Sequence, residues 1–282
     1  MAVSQRPEVS PGLEATQRLA VTQGLEVTRG LEVTQGLEVT QGLEVTQGHL
    51  LGGLVRYAQP RHGFRSGIEP VLLAAAVPAR PGERVLEVGS GAGAALLCLA
   101  ARVAGISGLG VERDSALVAI AARNAAANGW HELAFLAADI AEAPDLGLFD
   151  HGFANPPYHP ALGTASPDPA RDAARRALPG LFALWAASMG GRLRPRGTLT
   201  WIVTAAAVPA CIAALTAAGC APSALLPLWK RVGEDAKLLL LRGVKGGRGG
   251  FRVLPGLTLH AGPSGFTPEA EAILRHGSGL AI

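Results

Sequence analysis

Cysteine is scarce in this chain. Cys98, Cys211 and Cys220 stand far apart, with no Cys-x-x-Cys pair among them. That spacing excludes a disulfide framework and a thiolate zinc site, and it fits a reducing compartment. Lysine is equally rare: Lys230, Lys237 and Lys245 are the only lysines among 25 basic residues, and the other 22 are arginine. A net charge of +3 sets up no strong field, but the planar fork of arginine suits phosphate contacts. The Arg, Ala and Gly bias follows equally from a GC-rich gene. Long apolar runs are missing too. The longest, Pro70 to Ala79, is broken by proline and too short to span a bilayer. No charged-then-apolar leader opens the sequence. A cytoplasmic protein with no membrane or metal partner is expected. Its 49% of hydrophobic residues supply ample material for a core.

What the chain has in excess comes first in order. From Gly24 the unit Gly-Leu-Glu-Val-Thr-Gln runs almost perfectly through Gly24–Arg29, Gly30–Gln35, Gly36–Gln41 and Gly42–Gln47, and a degenerate copy begins at Gly12. Near-identical copies point to tandem duplication of coding sequence. Leu and Val alone are too thin an apolar content for a β-helix. Residues 1–48 are therefore expected to be a disordered repeat tail, and 49–282 one folded domain. Within that domain, strands are expected over Arg84–Val88, Gly108–Glu112, Leu133–Ala138, His151–Ala154, Thr198–Thr204 and Leu238–Arg242. Helices are expected over Ile68–Val77, Gly93–Ala104, Ser115–Asn128, Ala173–Arg192 and Val208–Ala218. A further strand pair in Phe251–His260 and a closing helix over Thr267–Arg275 complete the pattern. Strands alternating with helices imply a doubly wound α/β fold, with a parallel sheet covered on both faces.

The stretch Val85-Leu86-Glu87-Val88-Gly89-Ser90-Gly91-Ala92-Gly93 reads as strand, glycine turn and helix start. Such a turn lets the backbone approach a ligand, and the helix start offers free N–H groups. Gly89-x-Gly91-x-x-Ala94 also satisfies a dinucleotide fingerprint, which leaves a dehydrogenase open. Glu87 favours a different cofactor, because a carboxylate aimed at a pyrophosphate would be repelled. Glu112, ending the second strand, can accept from two ribose hydroxyls. Asp139 follows the third strand, where an adenine amine can be read.

Asn155-Pro156-Pro157-Tyr158, after the fourth strand, is the sharpest chemical signal. A planar NH₂ holds its lone pair in conjugation and is a poor nucleophile. Donating both hydrogens, to the Asn155 side-chain oxygen and the Pro156 carbonyl, favours a pyramidal nitrogen and frees that pair. The prolines hold the carbonyl rigidly and bring no competing N–H. Tyr158 offers a face for stacking on a base or amide plane. The attacked group would be a cationic methyl donor, so the expected chemistry is methyl transfer from S-adenosyl-L-methionine to an exocyclic or amide nitrogen. Weaker candidates surround this core. Phe64, Arg65 and Glu69 can line the methionine end of the cofactor pocket. Arg171, Arg175 and Arg176 can clamp a nucleic-acid backbone or simply form a solvated helix face.

Taken together, these motifs resemble the bacterial tRNA N6-adenine methyltransferases that act on adenine 37 of a valine tRNA, within the class I small methyltransferases. The resemblance runs from about Thr46 to the C-terminus. It includes Gln59-Pro60, Gly63-Phe64-Arg65-Ser66-Gly67-Ile68-Glu69-Pro70, the glycine motif, Asn124 to Gly129, Asn155 to Tyr158 and Gly265-Phe266-Thr267-Pro268. It implies a Rossmann-like, seven-stranded, mostly parallel sheet whose last strand is antiparallel. It implies S-adenosyl-L-methionine held by Arg65, Glu87, Gly89, Ser90, Gly91, Glu112, Asp139 and Asn155, and a flipped-out adenine in RNA as substrate. The alternative substrates are a release-factor glutamine, ribosomal RNA and DNA. Release-factor enzymes carry the same loop behind an N-terminal helical domain, whereas about 35 folded residues precede the glycine motif here. A non-catalytic RNA-binding module of the same fold is the reading from a different class.

Overall fold

The computed structural model describes residues 44–62, 66–157, 180–262 and 265–282. The chain opens with an antiparallel hairpin, β1 (Val45–Leu50) and β2 (Val55–Pro60), with Val45 opposite Pro60 and Leu50 opposite Val55. β1 therefore takes in the last three residues of the final hexapeptide copy, and a boundary at His49 cuts through the strand.

Helix α1 (Glu69–Ala76) follows, with proline in its first turn, where the missing N–H costs nothing. The βα alternation then runs through β3 (Arg84–Val88), α2 (Ala94–Arg102), β4 (Ser107–Glu112), α3 (Ser115–Ala127), β5 (Leu133–Ala137) and β6 (Phe149–Ala154). It continues with α4 (Leu181–Gly191), β7 (Leu193–Thr204), α5 (Val208–Ala217), β8 (Cys220–Trp229) and β9 (Leu238–Lys245). Two short strands, β10 (Arg252–Val253) and β11 (Leu257–Thr258), and helix α6 (Pro268–His276) close it.

The sheet order is β10-β8-β9-β7-β6-β3-β4-β5, with β11 also on β8. Pairs from β5 to β7 are parallel, and β9 is antiparallel to both β7 and β8. The expected seven strands become nine. The strand pair expected in Phe251–His260 is not a pair, because β10 and β11 each join β8 in parallel at successive positions. β8 was not expected at all. Its Pro222 and Pro227 read as breakers, yet both fall outside the residues that meet β10 or β11 on its outer side. A proline is tolerated where no ladder bond is asked of its nitrogen.

Alternation along β3 sends Val85 to one face and Leu86 to the other. On the first face Val85 joins α1, α2, α3 and α6 in one buried cluster. On the second, Leu86 and Val88 meet Ala186 and Met189 of α4, with Cys211 and Leu215 of α5. Both faces are thereby covered. The parallel strands all point their carboxyl ends to one edge, where the crevice of a doubly wound sheet lies. Among the described residues, no helix is long and apolar enough to cross a membrane.

Candidate active site

β3 ends at Val88 and the chain turns through Gly89, Ser90, Gly91, Ala92 and Gly93 into α2. Gly89, Gly91 and Gly93 take φ of +69°, +54° and +86°, values that a side chain rarely tolerates. The turn is pinned to β4, with Gly89 N–H donating to the Val111 carbonyl at 2.8 Å. It closes on itself as Gly93 N–H donates to the Ser90 carbonyl at 2.8 Å.

Two carboxylates bracket this turn. Glu112, at the end of β4, accepts from Gly91 N–H at 3.0 Å through one oxygen and from Asp114 N–H at 3.1 Å through the other. Each oxygen keeps a lone pair for a ligand hydroxyl. Glu87 is buried, 4% exposed, and accepts from Leu96 N–H at 3.0 Å in the first turn of α2. Burial pushes its pKa well above the ordinary range, the Leu96 bond pulls it down, and nearby Glu112 adds to the rise. A cation placed beside it would be favoured, since it would stabilise the ionised form that burial opposes. Asp139, just past β5, caps the next turn by accepting from Ala141 N–H at 3.0 Å, and lies 4.0 Å from the Arg113 guanidinium.

The Ser90 hydroxyl has no hydrogen-bond partner and is buried; the space beside it exists because residue 110 is glycine, where a Cβ would come within 2.9 Å of Ser90 Oγ. The structure thus turns Ser90 towards β4.

β6 lies directly beside β3, and the register pairs Val88 with Ala154. Gly89 and Asn155 are each the next residue along, so they stand about one strand spacing apart, roughly 4.8 Å. Among the described residues, the Asn155 side-chain oxygen is buried with no hydrogen-bond partner. An orphaned acceptor inside a protein costs about 1–3 kcal/mol, which is retained where a ligand donor completes it. Pro156 and Pro157 follow β6 outside any helix or strand. Tyr158, Phe64 and Arg65, and Arg171, Arg175 and Arg176, fall outside the described residues. Glu69 opens α1.

Trp185 of α4 belongs to this site and was not anticipated. Its ring edge lies so close to Gly89 that a Cβ there would meet Cη2 at 2.8 Å. The Phe-Ala-Leu-Trp run marked a helix, but nothing local showed which neighbour the indole would touch. A separate cavity of about 480 Å³ sits at the other edge of the sheet, between the end of α2 and the start of β5, lined by Val103, Ile106, Trp130 and Leu133. None of the candidate residues reaches it.

The residues brought together suit S-adenosyl-L-methionine: an acceptor carboxylate at β4, a buried acid behind the glycine turn, and an unpartnered acceptor across from Gly89. Residues 69–176 match the family model described as Methyltransferase small domain. The tRNA1(Val) (adenine(37)-N6)-methyltransferase of Aeromonas hydrophila is 36% identical over 41% of this chain and 49% of its own length. Its counterpart from Actinobacillus succinogenes is 34% identical over 51% and 63%. The release factor glutamine methyltransferase of Rhodospirillum rubrum is 36% identical over 42% of this chain and 39% of its own length. The chain therefore spans from about two fifths to just under two thirds of these curated relatives. The crystal structure of a predicted O-methyltransferase, protein Atu636, from Agrobacterium tumefaciens superposes with a TM-score of 0.62, at 25% identity, over 76% of this chain and 99% of that one. Residues 69–176 thus match the Methyltransferase small domain model, and the described chain around them has the fold of a class I methyltransferase.

Proposed function

We propose that this protein methylates the N6 amine of an adenine in tRNA, of the adenine-37 type in a valine tRNA. The observation that carries the reading is the buried, unpartnered Asn155 oxygen one residue beyond the Val88–Ala154 pair. It asks for a donor at the place where the glycine turn and β6 meet.

S-adenosyl-L-methionine, when bound, would supply an electrophilic methyl group beside a positive sulfur. Glu112 would accept from its ribose hydroxyls and Asp139 would read its adenine end. Glu87 would ionise beside that cation and set a negative potential behind the turn. Asn155 accepts one hydrogen of the target amine and the Pro156 carbonyl the other, which turns the nitrogen lone pair towards the methyl. No separate general base is needed, because the positive charge passes to the nitrogen and its proton leaves afterwards. Positioning supplies most of the acceleration.

An amide nitrogen of glutamine would satisfy Asn155 equally well, and the adenine reading is favoured by the larger share of the tRNA enzymes that this chain spans. The tRNA enzymes align over 49% and 63% of their lengths, against 39% for the release-factor enzyme. The test is incubation of the full chain with methyl-labelled cofactor and, in separate reactions, total tRNA, ribosomal RNA and release factors. Label recovered as N6-methyladenosine from tRNA is the expected result. Label in N5-methylglutamine overturns the substrate. Absence of saturable cofactor binding by calorimetry overturns the enzyme reading altogether.

A further inference from the structure

Asn124 and Asn128 stand one turn apart on α3 and both face the N-terminal hairpin. Asn128 donates to the Arg56 carbonyl at 2.7 Å and accepts from Arg56 N–H at 2.9 Å. Asn124 repeats the pattern two residues further along β2, donating to the Ala58 carbonyl at 2.8 Å and accepting from Ala58 N–H at 2.8 Å. Two carboxamides thus line the outer edge of β2 as a third strand would. A helical turn of about 5.4 Å and a two-residue strand repeat of about 6.8 Å are close enough to allow the match.

Asn128 gives its remaining N–H to the Asn124 carbonyl at 2.7 Å, local to the helix end, whereas the further bond of Asn124 leaves the helix. Its second N–H donates to the Ala92 carbonyl at 3.0 Å, inside the glycine turn. Asn124 is 3% exposed, and both its donors and its acceptor are used. Tyr57, between the two bridged residues, is 4% exposed, with its hydroxyl 2.8 Å from Ser66 Oγ. Burial is the main cause of its raised pKa, opposed by the Ser66 hydrogen bond, with a smaller rise from the field of Glu87.

We propose that the β1–β2 hairpin is a positioning element of the cofactor site, and that Asn124 is the residue through which it holds the glycine turn. The inference rests on the cofactor and not on the choice of substrate. Coupling between two sites is reciprocal, so a hairpin that orders the turn must itself be ordered by cofactor. In the full-length wild-type chain, saturating S-adenosyl-L-methionine should slow hydrogen exchange over residues 45–60 as well as over 89–93. Asn124→Ala should weaken cofactor binding about tenfold and speed exchange at 89–93. Asn128→Ala, which frees the same hairpin but touches no turn carbonyl, should speed exchange at 45–60 and change affinity less than about twofold, well under the usual range of such couplings. Saturable cofactor binding with unchanged exchange over 45–60 overturns the proposal, even if Asn124→Ala fails to fold. So does an equal loss of affinity in the two variants, which would make both asparagines merely structural. A wild-type chain that binds no cofactor sinks the site itself along with its coupling.

Discussion

The two ends of β6 are built on opposite terms. At its start, His151 shares hydrogen bonds with Thr198 Oγ1 at 2.8 Å and Glu83 at 3.0 Å. Asp150 accepts from Arg84 N–H at 2.9 Å and from the Arg194 guanidinium at 3.0 Å. The Arg84 guanidinium donates to the Leu146 and Leu148 carbonyls and lies 4.5 Å over the Phe149 ring. Each polar group named there has a partner. At the far end, four residues on, Asn155 keeps a buried oxygen with none. The difference separates an end whose polar groups are satisfied within the fold from one that leaves an acceptor open. A satisfied network returns its desolvation cost within the fold, while an unsatisfied atom returns it only when something binds.

Substitutions at the two ends should therefore separate activity from stability. Asn155→Ala is expected to lower turnover by about a hundredfold or more, as removal of one preorganised hydrogen-bonding group does elsewhere. Its melting temperature should not fall and its cofactor affinity should stay within a few-fold, measured by calorimetry. A lower melting temperature would make Asn155 part of the scaffold. Gly89→Ala comes next. The added methyl meets Trp185 at 2.8 Å and the residue sits at φ +69°, so about 1–3 kcal/mol of stability should be lost. Cofactor affinity should fall with it. Pairing it with Trp185→Ala should restore the part due to the clash and leave the part due to φ, as read by denaturant unfolding.

At the other end, His151→Ala should cost about 2 kcal/mol of stability, because it strands Thr198 and leaves the Glu83 carboxylate with only the Arg80 N–H bond at 2.7 Å. Turnover per folded molecule should be unchanged, and a turnover loss matching that of Asn155→Ala would abolish the contrast. The smallest effect is in pH dependence. Burial holds the His151 pKa below its ordinary 6.5, opposed by Glu83 and Asp150, with Arg242 adding to the depression. Below pH 6.5 the unfolded chain thus binds more protons than the folded one. Stability should decline as pH falls from 6.5 towards the lower folded value, then level off. His151→Ala should remove that slope.

Much of the site was legible because it is local. Strand β3, its glycine turn and the loop after β6 announce themselves by residue type alone. Glu87, Glu112 and Asp139 take their places from strand ends a few residues away. The elements that escaped depend on partners distant in sequence. β8 carries prolines that only its neighbours' spacing excuses. β1 hides within a repeat whose copies all look alike. Trp185 lies nearly a hundred positions from Gly89. Asn124 appeared as part of a resemblance, but its hydrogen bonds to Ala58 and Ala92 exist only once α3 is packed against both.

The hairpin has one consequence for the gene. Its first strand draws Val45-Thr46-Gln47 from whichever hexapeptide abuts Gly48, and the preceding unit, Gly36–Gln41, carries the same Val-Thr-Gln. Polymerase slippage that adds or removes whole units upstream would deliver an unaltered strand to β2 each time. Copy number can drift without changing the sequence of that strand.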